Sequence, residues 1–212
     1  MASISPTQTF YAEVVRALDE IGAPYMIVGG FAAAAYGSAR VTLDVDIIVD
    51  LRPAHILALA QRFPLPRYYA DPYQMNNAIA QVTMFNLIDT ERGHKVDWVP
   101  LSMDPVYREA FARRVRFQFK DLSGELVLAY FARPDDVVIG KLRAWYEGRL
   151  RRHEMDIESI LIFVYSNADP QVSRWYSEAQ VDRQAHQISP ETWQLWQSLK
   201  KAARQAVKGR GK

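Results

Sequence analysis

The sequence predicts an α+β protein, a sheet with flanking helices followed by a C-terminal helical bundle. Three observations lead there. Tyr25 to Asp50, YMIVGGFAAAAYGSARVTLDVDIIVD, reads as strand, glycine turn, short buried helix, strand. Further apolar runs of strand length follow, between Val82 and Tyr130. From about Arg133 onward, apolar residues recur at helical spacing only.

Taken in order, Thr7 to Ile21 places Phe10, Val14, Leu18 and Ile21 on one helix face, and Gly22 and Pro24 stop that helix. Tyr25 to Val28 is a short apolar strand that reaches the Gly29-Gly30 pair; Phe31 to Tyr36 is an Ala-rich helix ending at Gly37. On the second strand side chains alternate between faces. Leu43, Val45, Ile47 and Val49 point one way, and Asp44 and Asp46 share the other. Acids are depleted in strands, so two on one face need a reason. Carboxylates at i and i+2 can hold a divalent cation, which removes their mutual repulsion. The glycines complement them. Without a Cβ, Gly29 and Gly30 let a phosphate approach the backbone, and the helix opening at Phe31 offers free N–H groups and a favourable dipole.

Asp50 and Pro53 open a helix through about Phe63, with Ile56, Leu57 and Ala60 inward and Asp50 read as its cap. Asp71-Pro72 repeats the start signal for a short helix, Pro72 to Ile79. Strands Val82 to Ile88 and Lys95 to Val99 follow, joined by a turn through Glu91-Arg92-Gly93. On the second of these, Val96 and Trp98 take one face and Asp97 the other; on its own Asp97 reads as a solvated strand acid. Pro105 to Phe111 is a short helix. Arg116 to Phe119 and Leu126 to Tyr130 form a hairpin around Ser123-Gly124.

A boundary falls near Arg133. Pro134 starts a helix with Asp135 and Asp136 favourable in its first turn, although Arg133 is a poor cap. Its stripe is Val138, Leu142 and Trp145. The next helix, about His153 to Val164, buries Ile157, Ile160, Leu161 and Val164. Two further amphipathic segments carry Val172, Trp175 and Tyr176, then Trp193, Trp196 and Leu199, the second starting at Ser189-Pro190-Glu191. These tryptophans are most simply core.

Composition narrows the field. The chain has 212 residues, 49% hydrophobic and 24% charged, ordinary for a globular protein. With no cysteine, disulfides and thiolate metal sites are excluded, and the four histidines show no zinc-ligand spacing. MASISPTQTF lacks a basic n-region and an apolar h-region, and no apolar run approaches the roughly 18 residues of a membrane span. The expectation is a cytoplasmic protein with no membrane partner. Six of the basic residues, and no acids, lie from Lys200 to Lys212; before them 20 basic residues face 24 acidic ones, a balance of −4. The net basicity therefore belongs to a tail, read as a solvated end or a nucleic-acid arm, with residues 208–212 disordered.

The order apolar-Gly-Gly, thirteen residues, Asp-x-Asp-apolar, across strand–helix–strand, resembles the signature of the DNA polymerase β-like nucleotidyltransferases. The resemblance is strongest to their minimal prokaryotic branch, which includes AbiEii-type toxins. It covers roughly residues 10 to 165. Phe131 to Leu161, FARPDDVVIGKLRAWYEGRLRRHEMDIESIL, looks like the family's later motifs, with a lysine in one helix and an aspartate in the next, here Lys141 and Asp156. The resemblance implies a palm-like mixed sheet in a core domain, residues 1–132, and a helical domain packed on it, residues 133–207. It implies transfer of a nucleoside monophosphate from a nucleoside triphosphate, ATP or another, to an acceptor hydroxyl. Asp44, Asp46 and a third strand acid, Asp97, would be catalytic and hold two magnesium ions, manganese being an alternative. Gly29 and Gly30 would cradle phosphates, and Lys141, oriented by Asp156, would neutralise the leaving pyrophosphate. Lys141 lies beside its apolar stripe; without the resemblance it reads as an exposed lysine. Arg40 and Thr42 resemble a recurrent Arg-x-Thr and are assigned to nucleotide-phosphate or strand-end contacts.

The implied acceptor is a transfer RNA and the implied partner a separate antitoxin protein. The basic cluster Lys141, Arg143, Arg149, Arg151 and Arg152 could hold an RNA backbone or be a solvated corner. A small-molecule or protein acceptor is open to the fold, and so is an idle nucleotide- or RNA-binding module.

Overall fold

In the computed structural model the described residues are 6–39, 42, 44–120 and 126–210. They form two compact units. One comprises Met1–Phe31 with Thr42–Ala132, the other Ala32–Val41 with Arg133–Lys212.

The first unit is built on a seven-stranded mixed sheet. Its strands are β1 (Tyr25–Val28), β2 (Asp44–Val49), β3 (Tyr68–Tyr69), β4 (Phe85–Asp89), β5 (His94–Pro100), β6 (Val115–Lys120) and β7 (Leu126–Phe131). Their order is β3-β4-β5-β2-β1-β7-β6. β2 runs antiparallel to β1 and parallel to β5, and β1 runs parallel to β7. The α+β class is thus as the sequence predicts. Helix α1 (Pro6–Glu20) buries more than the expected stripe: Tyr11, Ala12, Val15 and Ala17 are covered along with Phe10, Val14 and Leu18. Its Tyr11, Val14 and Val15 meet Ile27, Val45, Ile47 and Val96 of the sheet. Those strand residues alternate with Asp44, Asp46 and Asp97, so α1 occupies one face and the acids point from the other.

An aromatic group fixes one end of this core. Phe10 stacks on Tyr68 with centroids 5.9 Å apart, and Phe63 meets Tyr68 edge-on at 5.2 Å. Such pairs add ~0.5–1.5 kcal/mol each beyond their buried area.

Several expectations in this unit need correction. Asp50 does not cap α3 (Pro53–Arg62); Arg52 is the cap residue, and its N–H donates to His55 Nδ1 at 3.2 Å. Leu57 is exposed on α3, while Ile56 and Leu59 are its buried residues. Helix α4 runs Pro72–Gln81, capped by Asp71, and Val82 closes it in the left-handed conformation at φ 55°. β4 therefore starts at Phe85, not Val82. Strand β3 is an addition that the sequence did not reveal. Helix α5 (Pro105–Ala112) starts at the Asp104 cap, and β6 pairs with β7 as a hairpin whose turn, with Ser123 and Gly124, lies outside the described residues.

The first unit also takes in Gly29 to Phe31, the opening of α2 (Gly29–Ala35). In the second unit, α6 (Pro134–Gly148), α7 (Arg151–Tyr165), α8 (Pro170–Trp175), α9 (Glu178–Ile188) and α10 (Pro190–Arg210) enclose a core. It includes Val138, Leu142, Ile157, Ile160, Leu161, Val172 and Trp196. The two amphipathic segments expected after α7 are three helices, α9 being the one not foreseen. Helix α10 continues through Arg210, so Lys208, Gly209 and Arg210 are helical and not a disordered tail; Gly211 and Lys212 lie outside the described residues. Among the described residues no helix is long and apolar enough to cross a membrane.

Candidate active site

β2 and β5 are neighbouring parallel strands in register, and Asp46 stands directly beside Asp97, with Asp44 beside Lys95. Side chains two apart on a strand share a face, so Asp44, Asp46, Lys95 and Asp97 form a charged square. The pattern of burial agrees: Val45, Ile47, Val96 and Trp98 are buried, Asp44 is exposed, and Asp46 and Asp97 are half-buried. The sheet thus brings together the three acids singled out in the sequence. Lys95 was missed there, although the same alternation that selects Asp97 selects the residue two before it.

Gly29 is set tightly against this square. Val28 pairs with Asp46 across the antiparallel β1–β2 ladder, and the chain then turns into α2. Gly29 has φ +66°, and a Cβ built on it would lie 1.9 Å from Asp46 Oδ2. Both facts disfavour a side chain there. Gly30 is buried in the first turn of α2, which is only seven residues long. The role of the pair therefore rests on close backbone approach more than on a helix dipole. Thr42 Oγ1 donates to the Asp44 carbonyl at 3.0 Å, tying the chain that enters β2. Arg40 lies outside the described residues.

Charge in the square is partly neutralised from within. Lys95 Nζ lies 3.0 Å from Asp97 Oδ2. That hydrogen bond, against a smaller cost of burial and helped by the nearby charges of Asp97, Asp44 and Asp46, holds the ammonium above the usual lysine range. Asn86, opposite Asp97 on β4, turns its amide toward Asp97 Oδ1. On α1, burial pushes the Tyr11 phenol well above its ordinary range, and the charges of Asp44, Asp97 and Asp46 push the same way. As the side chains stand, no three His, Cys, Asp or Glu groups among the described residues are disposed to hold a metal ion. The donor set itself, three carboxylates on one sheet face, suits a hard oxygen-seeking cation such as magnesium or manganese.

The second unit holds a second polar group. Lys141 is not an exposed lysine; it is 6% exposed, and its Nζ donates to Asp156 Oδ2 at 2.7 Å. Ser38, in the segment after α2, donates from Oγ to Asp156 Oδ1 at 2.8 Å. Lys141 and Asp156 thus meet across α6 and α7. Ser38, the third member, carried no sequence signal. Gly37 beside it, at φ +95°, packs so closely on Phe163 that a Cβ would lie 2.8 Å from the ring.

No family model matches the chain, and no curated protein sequence matches it. Among solved structures it is similar to JHP933 from Helicobacter pylori, at 14% identity and TM-score 0.46, over 99% of this chain and 97% of that one. It is also similar to an antigenic nucleotidyltransferase-like protein from Paracoccidioides brasiliensis, at 16% identity and TM-score 0.48, over 90% of this chain and 92% of that one.

Proposed function

We propose that the protein is a magnesium-dependent nucleotidyltransferase that moves a nucleoside monophosphate from a nucleoside triphosphate to an acceptor hydroxyl. The observation that carries this reading is the in-register pairing of Asp46 with Asp97, with Asp44 on the same face and the bare backbone of Gly29 against the Asp46 carboxylate. Acids placed this way are costly in a strand unless a cation uses them.

Asp44, Asp46 and Asp97 would hold the metal, and Gly29 and Gly30 would let the phosphates approach the backbone beside it. Magnesium, when bound, would neutralise the triphosphate and polarise the reacting oxygens. Asp97 would also accept or align the acceptor's proton, as the resemblance implies. Thr42 supports the strand end that carries Asp44. Lys141, Asp156 and Arg40 are assigned to the nucleotide by the resemblance alone. Within the second unit, the Asp156 carboxylate fixes the direction of the Lys141 ammonium.

The acceptor we assign is a transfer RNA, supported by the exposed Arg151 and Arg152 that open α7. The AbiEii-type branch, an antitoxin partner and a cytoplasmic location belong to the same proposal and rest on the resemblance.

The test is incubation with magnesium, each α-labelled triphosphate in turn and total cellular RNA, beside Asp44→Asn and Asp46→Asn. Label should appear in a small-RNA band with the wild type, and neither variant should transfer it. Label on protein or small molecules only would refute the RNA acceptor. Transfer by the variants at the wild-type rate, or no label from any triphosphate, would refute the transferase.

A further inference from the structure

Three acids on one sheet face repel one another, and a protein that must fold before it meets its metal needs some other cation there. Lys95 is in the right place. It stands in register beside Asp44, two residues before Asp97 on β5, and its Nζ lies 3.0 Å from Asp97 Oδ2. The Lys95 side chain is 36% exposed and that of Asp97 15%, so the ammonium stays within reach of water while it holds a half-buried carboxylate. The square therefore carries −2 in place of −3.

A lysine ammonium and a divalent ion make the same demand on a carboxylate oxygen but cannot both meet it. Magnesium takes oxygen ligands at about 2.0–2.1 Å, and an ammonium already on that oxygen would face it at close range with like charge. Lysine has the means to leave: a flexible four-carbon stem and a strongly hydrated head group. While it stays, Asp97 is turned to Lys95.

We propose that Lys95 is the built-in cation of the acid face: it holds Asp97 beside Asp44 and Asp46 in the absence of metal and gives Asp97 up when a divalent ion enters. The inference rests on the reading of this face as a metal-dependent transfer site and adds a residue to it. Lys95 then sets the metal affinity of the site. Once displaced, its ammonium remains on the acid face, where a phosphate-bearing substrate would meet it.

The experiment is Mn²⁺ binding by titration calorimetry, together with melting in excess chelator, for wild type, Lys95→Met, Lys95→Gln, Lys95→Arg and Asp44→Asn, with circular dichroism to check folding. Removing one positive charge from a site partly open to water should tighten Mn²⁺ binding about tenfold in Lys95→Met and Lys95→Gln. The same two variants should melt lower than wild type in chelator and recover when Mn²⁺ is added. Lys95→Arg keeps the charge and should stay near wild type in both measurements. Unchanged or weaker Mn²⁺ binding in the Met and Gln variants would overturn the proposal. If Asp44→Asn alone loses Mn²⁺, the metal site stands and Lys95 is a bystander. If wild type and every variant ignore Mn²⁺, the metal reading falls and takes this one with it.

Discussion

Replacing Gly29 with alanine isolates the closest approach in the candidate site. Two penalties add. At φ +66° an L-residue is in the left-handed region, which costs ~1–2 kcal/mol. The new Cβ would also lie 1.9 Å from Asp46 Oδ2 and 2.8 Å from Asp46 Cγ, so the carboxylate must swing aside. A side chain forced off its rotamer costs a further ~0.5–1.5 kcal/mol. Gly22 provides the control, because it has the same φ of +66° and nothing within 4 Å of its would-be Cβ. For a chain of this size each kcal/mol moves the melting temperature by roughly 2–4 °C. Gly22→Ala should therefore melt about 3–5 °C low and Gly29→Ala about 6–10 °C low, read by differential scanning calorimetry. Activity should divide the two more sharply. An acid displaced by about 1 Å can cost a hundredfold in rate, so Gly29→Ala should lose the proposed nucleotide transfer while Gly22→Ala keeps it. Equal melting shifts with equal activity would show that the approach of Gly29 to Asp46 serves neither stability nor chemistry.

Two further outcomes are expected in the helical unit. Lys141→Met takes the ammonium away from the Asp156 carboxylate, which is 1% exposed, and should cost ~3–5 kcal/mol, whereas Ser38→Ala, which removes one neutral donor, should cost ~1–2 kcal/mol. A Lys141→Met protein as stable as wild type in urea would show that the pair contributes nothing to the fold. Burial works against ionisation of Asp182, but hydrogen bonds from Lys200 and Trp196 outweigh it and hold the carboxyl below the ordinary aspartate range. A lowered folded pKa gives stability that is complete above the ordinary value and is lost as pH falls through the lowered one. The melting-temperature gap between wild type and Asp182→Asn should hold from about pH 7 to 5 and close below about pH 4; a gap that widens in acid would reverse the assignment.

What can be read from the chain depends on period. Two-residue alternation makes a strand's faces explicit, so the shared face of Asp44 and Asp46 stands out from the order of residues alone, whereas Asp97 by itself reads as a solvated strand acid and joins them only through the resemblance. β3 spans two residues, too few to alternate. In α3, Ile56, Leu57, Ala58, Leu59 and Ala60 are all apolar, and such a run does not fix the phase of the helix; Leu57 consequently faces out. Helix α9 buries only Val181 and Ala185 among polar neighbours, which leaves it without a stripe to see. Lys141 is the deeper case. Lysine is among the least buried residue types, and what allows its burial is an aspartate on the next helix and a serine more than a hundred positions away. Tertiary proximity of that kind has no local signature.

The strand order also determines when the acid face can come into being during folding. β2 and β5, the strands that carry it, lie in the middle of the sheet, and β1 is held between β2 and β7. Local hairpins such as β4–β5 and β6–β7 can form early, but Asp46 gains Asp97 as a neighbour only after the whole chain between them has closed on itself. Loop closure of that length slows a fold rich in distant pairings. Until β2 docks on β5, Asp97 is separated from Asp44 and Asp46. A nascent chain therefore lacks the three-acid face until its central strands have assembled.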